Sequence, residues 1–510
     1  MMSLTGLVKA YEEGKKQYGE RISETGCGSF AVTEAYEEGY RSGEDERDPA
    51  QLEMIIEEGS GGGPGENAGA KSVGRMALGD NLEYMEFLLK EKDMAGKIQF
   101  IYVDPPFFSG SKYQASIQLE SEHLGTSKVI KTEAYDDSWS RGMEGYLAML
   151  TVRLLMMREL LSEQGCICVH LDRHVTHYAK VLLDQIFGEK NFINEIIWTY
   201  KSGGASKRSF ARKHDNLLLY GKTSGYKFNV LREKSYNREL KPYRFQGVEE
   251  FQDETGWYTM VNMKDVWQLD MVGRTSKERT GYATQKPEKL IERLVKACSD
   301  VGDLCADFFA GSGTLGAVCA GMNRDWIMCD EGRLSLASQI GRLTALKAAF
   351  SVEEQPDVHG KCGASECMAH EIASEMGVPE FLVERDTLQL CGYRHRGDLS
   401  GVADREQGEI LRYQEEDGLS LVKCWSVDFH YDGKVHRPQA VMSRGAGRIA
   451  FDHKKVSDVW SVSGYDVLGG RFCCRIDRKQ AEAGKKIGLT ETTKELFNKT
   501  NETTGGGDER

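Results

Sequence analysis

Between about residue 71 and residue 350 the apolar positions fall into two alternating rhythms. "KIQFIYVD" (97–104) and "CICVHLD" (166–172) are short continuous apolar runs, and each predicts a buried strand. "YLAMLTVRLLMMRELLSEQG" (146–165) repeats its apolar residues every three or four positions and stops at Gly165, which predicts a helix with a glycine end. "HVTHYAKVLLDQIFG" predicts a second helix, and "NEIIWTY" and "NLLLYGK" predict two further strands. "PEKLIERLVKACSD" (287–300) opens with proline at a helix's first turn. "DLCADFFA" and "DWIMCD" read as strands on either side of a glycine-rich turn and its helix. Strands alternating with helices predict an α/β fold with a mostly parallel, doubly wound sheet.

The flanks read differently. Residues 1–70 are polar and acidic, and "AYEEG" at 10–14 and again at 35–39 suggests two similar helical segments. "EEGSGGGPGENAGAK" then reads as a linker, which places the start of the first compact domain near Lys71. Past residue 350, "CWSVDFHYDGKV" alternates Trp425, Val427, Phe429 and Tyr431 with polar residues and turns at Asp432-Gly433, a hairpin pattern. With "RIAFDH" and "GRFCCRID" it predicts a small β-rich accessory domain over 351–510, ending in a disordered tail. The stretch 109–139 reads as a long mobile loop.

Charge sharpens this division. The 510-residue chain carries a net charge of −13, but residues 1–69 hold −9 of it and residues 351–510 hold −6. Residues 200–246 carry twelve Lys/Arg against three Asp/Glu, enough to neutralise several phosphates despite the acidic whole. The thirteen cysteines are scattered, and Cys166, Cys168, Cys305 and Cys329 lie in apolar runs, so they read as buried thiols. Cys362, Cys367, His370, Cys391 and His395 carry donors suited to zinc, but no CxxC pair exists and no metal is expected. No apolar stretch approaches a membrane span, and the first twenty residues lack a signal peptide's apolar core, so a cytoplasmic protein without membrane partners is expected.

Two stretches carry the chemistry. "DFFAGSGTLG" follows a strand and opens a helix; Gly311 and Gly313 permit a tight turn and close approach of a ligand. Asp330, at the end of the next strand, stands where a carboxylate accepts hydrogen bonds from ribose hydroxyls. Gly311, Gly313 and Gly316 satisfy GxGxxG, which leaves both NAD and S-adenosylmethionine open. "DPPF" separates them. Asp104 ends a strand, Pro105 and Pro106 have no N–H to donate, and Phe107 offers a flat face. An acceptor-rich rim beside a ring suits a planar molecule with an exocyclic amino group such as adenine, and hydride transfer needs none of it.

"DPPF" (104–107) and "DFFAGSGT" (307–314) resemble the catalytic and cofactor motifs of the S-adenosylmethionine-dependent amino methyltransferases of DNA. The order, catalytic motif first, resembles the β-class, which includes the modification subunits of type III restriction systems. "LGDNLEYM" (78–85), "HLDRHVTHYAKVLLDQIFG" (170–188), "KHDNLLLYGKT" (213–223) and "YATQKPEKL" (282–290) extend the resemblance over roughly 75–350. It implies a Rossmann-like methyltransferase sheet with circularly permuted motif order, S-adenosylmethionine as cofactor and double-stranded DNA as partner. A restriction subunit and a homodimer are further partners that such a family member can have.

The resemblance also implies residue roles. Asp307, Phe309, Gly311 and Gly313 would line the methionine part of the cofactor, Thr314 would also contribute to cofactor binding, Asp330 would hold the ribose, and Asp80 would lie near the cofactor adenine. Thr284, Gln285 and Lys286 would close the cofactor pocket. Asp104, Pro105, Pro106 and Phe107 would form the target pocket for N6 of a flipped adenine. Phe308 stands where many members have proline, and Asp330 where many have glutamate. Cytosine N4 is the nearest rival target, although that subgroup usually has serine before the two prolines; a non-catalytic DNA-recognition subunit is a third reading. The stretch "KSGGASKRSFARK" (201–213) is assigned to phosphate contact through Lys201, Lys207, Arg208, Arg212 and Lys213, within a target-recognition insert of about 201–281 that also holds Trp257, Tyr258 and Trp267.

Overall fold

A computed structural model describes residues 3–24, 30–37, 41–42, 72–121, 123–201, 207–354, 377–384, 386–397, 399 and 402–477. Its centre is a ten-stranded sheet in the order Ala31–Tyr36, Ala349–Glu354, Val73–Leu78, Asp325–Asp330, Leu304–Asp307, Ile98–Val103, Leu161–Leu171, His214–Gly221, Phe192–Thr199 and Val266–Gln268. Neighbours from Ala349–Glu354 through to Leu161–Leu171 run parallel, while His214–Gly221 lies antiparallel to both of its neighbours. All six residues of Ile98–Val103 are buried, as a central parallel strand covered on both faces requires. Two apolar clusters fill those faces: one packs helices Asn81–Lys90, Gly142–Leu160 and Thr176–Phe187, the other helices Glu288–Cys298 and Arg333–Ala345.

The N-terminal segment departs from the sequence reading. The first "AYEEG" lies in helix Leu4–Ser23, which packs Gly14 against Thr151 so closely that an added Cβ would stand 2.6 Å from the threonine's Cβ. The second does not form a helix: its Ala35 and Tyr36 end strand Ala31–Tyr36, which pairs antiparallel with Ala349–Glu354 at the sheet edge. The same five letters thus take two structures because edge pairing, a tertiary contact, overrides local propensity. The boundary expected near Lys71 is therefore not a packing boundary, since residues on both sides share one sheet.

Glu34 of that edge strand also bonds into the C-terminal region. Its side chain is fully buried and accepts hydrogen bonds from Ser463 (2.5 Å), Tyr465 (3.1 Å) and Tyr36 (3.0 Å), with Arg471 at 2.9 Å. Arg471 reaches Glu354 as well, at 2.6 Å. The β-rich region itself holds two sheets: Gly377–Glu384, Thr387–His395 and Arg448–Ala450 in one; Arg41–Ser42, Ala440–Met442, Val422–Asp428, Val459–Asp466 and Arg471–Asp477 in the other. Trp425 and Val427 face a buried core, and Gly433 takes a positive φ of 83° in the turn that follows. The tail expected to be disordered lies outside the described residues.

Residues 109–139 are largely a hairpin of strands Lys112–Ser121 and Thr126–Asp136, not the mobile loop expected. Ile117, Leu119 and Ile130 point into the core of the C-terminal region. Ser121 donates to Asp417 at 2.5 Å, Glu406 accepts from the Lys131 N–H at 3.0 Å, and Thr126 meets the Tyr413 hydroxyl at 2.9 Å. The hairpin is thus clamped between the Asp-Pro-Pro turn that precedes it and helix Asp404–Asp417. No described helix is long and apolar enough to cross a membrane.

Candidate active site

Parallel pairing brings four chain-distant acids to one edge. Asp307 is level with Tyr102 on one side and Met328 on the other, and Asp330 is level with Leu78, so Asp80, Asp104, Asp307 and Asp330 all stand at or just beyond the carboxyl ends of adjacent strands. They line a cavity of about 570 Å³ together with Pro105, Pro106, Phe107, Thr284, Gln285, Lys286, Phe309, Gly311 and Thr314. The lining holds six acidic side chains (Asp80, Asp104, Asp136, Asp307, Asp330, Glu331) against two cations, Arg153 and Lys286. Such a pocket favours a cationic ligand and disfavours a pyrophosphate.

The glycine loop is shaped by two left-handed residues, Gly311 (φ 49°) and Gly313 (φ 73°), the second capping helix Thr314–Gly321. A Cβ on Gly313 would also stand 2.8 Å from Gln339. Gly313 itself shapes the loop from behind the cavity wall. Asp330 accepts from the N–H of Gly311 and of Gly332, both at 2.8 Å, and burial still pushes its carboxyl up to about 6. Burial pushes Asp307 well above the carboxylate range too, with the charges of Asp104 and Asp330 adding to it and the Phe309 N–H opposing it.

Other expected cofactor residues are engaged inside the protein. Asp80 caps helix Asn81–Lys90 through the N–H groups of Leu82 and Glu83 and pairs with Arg153 at 3.0 Å. Thr314 donates to the Lys286 carbonyl at 3.2 Å and accepts from Arg342 at 3.1 Å, which braces the pocket wall. Gln285 braces its own loop, accepting from the N–H of Thr280 and donating to the Glu278 carbonyl. Thr284, at a positive φ of 54°, meets the Tyr135 hydroxyl of the hairpin at 3.2 Å.

The Asp-Pro-Pro-Phe turn is held from beneath by Asp137, a fully buried carboxylate that the sequence reading passed over. It accepts from the N–H groups of Phe108 (3.1 Å) and Ser109 (2.7 Å) and from the Trp139 indole (3.0 Å). Phe108 takes a positive φ of 58°, and this grip holds it there. Asp104 then presents its two oxygens differently. Oδ2 accepts from the Lys286 ammonium, which also lies 5.2 Å from the centre of the Phe107 ring. Oδ1 is buried and makes no hydrogen bond among the described residues. Lys286 thus lines the cavity with its ammonium turned to Asp104, while its carbonyl accepts from Thr314 on the glycine-loop side.

Behind Asp104 lies a second group the sequence did not signal as functional. His170 is fully buried; its Nδ1 meets the Tyr102 hydroxyl at 2.7 Å and lies 3.9 Å from Asp104 Oδ1. Its Nε2 lies 3.5 Å from Asp215, which Tyr200 reaches at 3.2 Å. Burial works against the Asp215 carboxylate, but His170, Lys286 and Tyr200 hold it below the usual range. His170 and Asp215 stand on paired strands, Leu161–Leu171 and His214–Gly221, a relation that sequence distance conceals.

The basic stretch emerges at this same edge. Tyr200 N–H bonds to the Lys213 carbonyl at 3.1 Å and Lys213 reaches the Lys201 carbonyl at 2.9 Å, closing a neck. Lys201, Lys207, Arg208 and Arg212 are exposed, Lys213 is half-buried, and Phe210 among them is 98% exposed. Trp267 is core, whereas Trp257 and Tyr258 belong to a separate three-stranded sheet of Arg232–Tyr236, Trp257–Asn262 and Phe251–Gln252. Of the zinc candidates, Cys362, Cys367 and His370 lie outside the described residues, while Cys391 bonds the Glu380 carbonyl and His395 bonds Asp466 at 2.5 Å.

Residues 98–336, which contain the cavity lining except Asp80 and Asn81, match the DNA methylase family. Over these residues the chain is similar to that family. The chain is 27% identical over 312 residues to the type II methyltransferase M.EcaI of Enterobacter cloacae, covering 49% of this chain and 66% of that protein. It is 24% identical over 209 residues to the EcoP15I Mod subunit, a type III restriction-modification enzyme of Escherichia coli, covering 38% and 32%. The chain thus spans less than two thirds of the length of these curated relatives. Among solved structures, the PvuII DNA methyltransferase (cytosine-N4-specific) aligns with a TM-score of 0.36 at 17% identity, over 54% of this chain and 90% of that one. The matched residues carry the sheet strands that follow one another in the chain from Ile98–Val103 to Asp325–Asp330, and the hairpin among them packs into the core of the C-terminal region.

Proposed function

We propose that this protein is an S-adenosylmethionine-dependent DNA methyltransferase that modifies N6 of adenine. The observation that carries this reading is Asp104 Oδ1, a buried carboxylate oxygen without a hydrogen-bond partner among the described residues, beside the ring of Phe107. A buried acceptor left open is costly unless a ligand fills it, and an amino group stacked on Phe107 would do so. The acidic lining fits a sulfonium cofactor, with Asp330 and the glycine loop to hold it; when bound, it supplies an electrophilic methyl group.

The adenine amino nitrogen is a weak nucleophile because its lone pair is delocalised into the ring. Asp104 Oδ1 and the Pro105 carbonyl would accept its two hydrogens, letting the nitrogen pyramidalise, and Asp104 would take the proton released on methylation. Lys286 keeps Oδ2 occupied, which directs the target to Oδ1. His170 lies 3.9 Å behind the acid, its Nδ1 engaged by the Tyr102 hydroxyl. The remaining gain is positional, from holding two reactants in line. The target must leave the duplex to reach this depth, with Phe107 offsetting part of the lost stacking.

Mapping modified bases in DNA from cells that express the protein tests this directly. N6-methyladenine at a fixed sequence is expected; N4-methylcytosine instead would move the assignment to the cytosine subgroup, and no modified base would refute methylation. The ribose role of Asp330 carries its own expectation. Hydroxyls donate best to an ionised carboxylate, and burial has raised Asp330 to about 6. Cofactor affinity should therefore rise as pH increases through about 6, and Asp330→Asn should remove that dependence; calorimetric titration at pH 5 and pH 7.5 reads both.

A further inference from the structure

Resting on the DNA-methylation reading, we propose that Phe210 enters the duplex when the target base leaves it and fills the space left between neighbouring base pairs. Phe210 is 98% exposed, more than any other large hydrophobic side chain among the described residues; the next, Val301, is 67% exposed. An aromatic ring held in water forgoes the burial that normally stabilises it, so its place requires a partner that covers it. Its neighbours say which: Lys207, Arg208 and Arg212 are exposed around it in the same short stretch. Cations on both sides of an apolar wedge suit a stacked polyanion, with phosphates outside and flat bases within.

Position supports the same partner. The neck formed by Tyr200, Lys201 and Lys213 ties the stretch to the ends of strands Phe192–Thr199 and His214–Gly221. Asp215, next but one to Lys213, is linked through His170 to Asp104. Phe210 stands five positions before Asp215, a reach of up to roughly 17 Å if extended. That span allows the ring to stand in the base stack while the flipped base sits against Phe107. Lys207, Arg208 and Arg212 would then hold phosphates on either side of the gap.

The test uses the full chain and the target sequence found by modified-base mapping, in two duplexes: one matched, one with an abasic site opposite the target base. An unpaired target leaves the stack more easily, so the wedge matters less there. Phe210→Ala should slow single-turnover methylation of the matched duplex about tenfold or more, and of the abasic duplex by about twofold or less. Phe210→Trp should retain the wild-type rate on both, and cofactor affinity should be unchanged in both variants. Equal loss on the two duplexes, or no loss on either, overturns the wedge while leaving methylation standing. Absence of methylation by the wild-type protein overturns both together.

Discussion

Asp104→Asn is expected to lower DNA methylation about a thousandfold while cofactor affinity stays within about twofold of wild type. The substitution keeps the shape of the side chain and its place at the end of strand Ile98–Val103. It replaces a carboxylate with an amide that can neither take the amino proton nor attract a developing positive charge. It also leaves Lys286 facing an uncharged partner in a site where that cation is 9% exposed. The glycine loop and Asp330 lie on other strands, so the cofactor half of the cavity should be intact. Single-turnover rates and calorimetric titration separate these effects; loss of cofactor binding in the same proportion would show Asp104 to be a structural residue instead.

The second large effect concerns stability, not catalysis. Glu34→Leu should destabilise the protein by about 3–5 kcal/mol at pH 7, because it removes one partner from a buried charged network. Arg471 would keep Glu354, but Ser463, Tyr465 and Tyr36 would each lose an acceptor in a dry site. Burial pushes the Glu34 carboxyl up, yet Arg471, His436 and the two hydroxyls from Ser463 and Tyr36 outweigh it and hold the group below the usual carboxylate range. A carboxyl lowered in the folded state stabilises above its ordinary value, about 4.3, and that contribution is lost as pH falls through the folded value. The gap between wild type and variant should therefore be full at pH 7 and narrow only in strong acid. Urea denaturation at pH 7 and at pH 3 measures it.

Much of the central domain is legible in the chain because its strands are continuous apolar runs and its motifs sit at strand ends. "KIQFIYVD" needs no partner to read as buried, and the glycines of "DFFAGSGTLG" announce a turn that only they can make. The hairpin Lys112–Ser121 with Thr126–Asp136 was not legible: its apolar residues Ile117, Leu119 and Ile130 are spaced among many polar ones, and the core they join is built by residues after 377. Strand Ala31–Tyr36 was hidden for a related reason, since its glutamate sits in the core against an arginine more than 400 positions away. His170 and Asp215 looked like ordinary strand residues until pairing set them beneath Asp104.

The amino-acid sequence by itself determined the kind of chemistry: an acid on a proline turn, a glycine loop, and a basic stretch at a strand junction are local features whose backbone geometry depends on few neighbours. Only the tertiary structure decided how that chemistry is arranged. It turned Lys286 toward Asp104, left one carboxylate oxygen open, and brought Asp137 and His170 up beneath the catalytic turn. The reason is physical. Backbone shape at a turn is set by steric limits within a few residues, whereas the partner of a buried charge is whichever group the packing of distant strands brings within bonding distance.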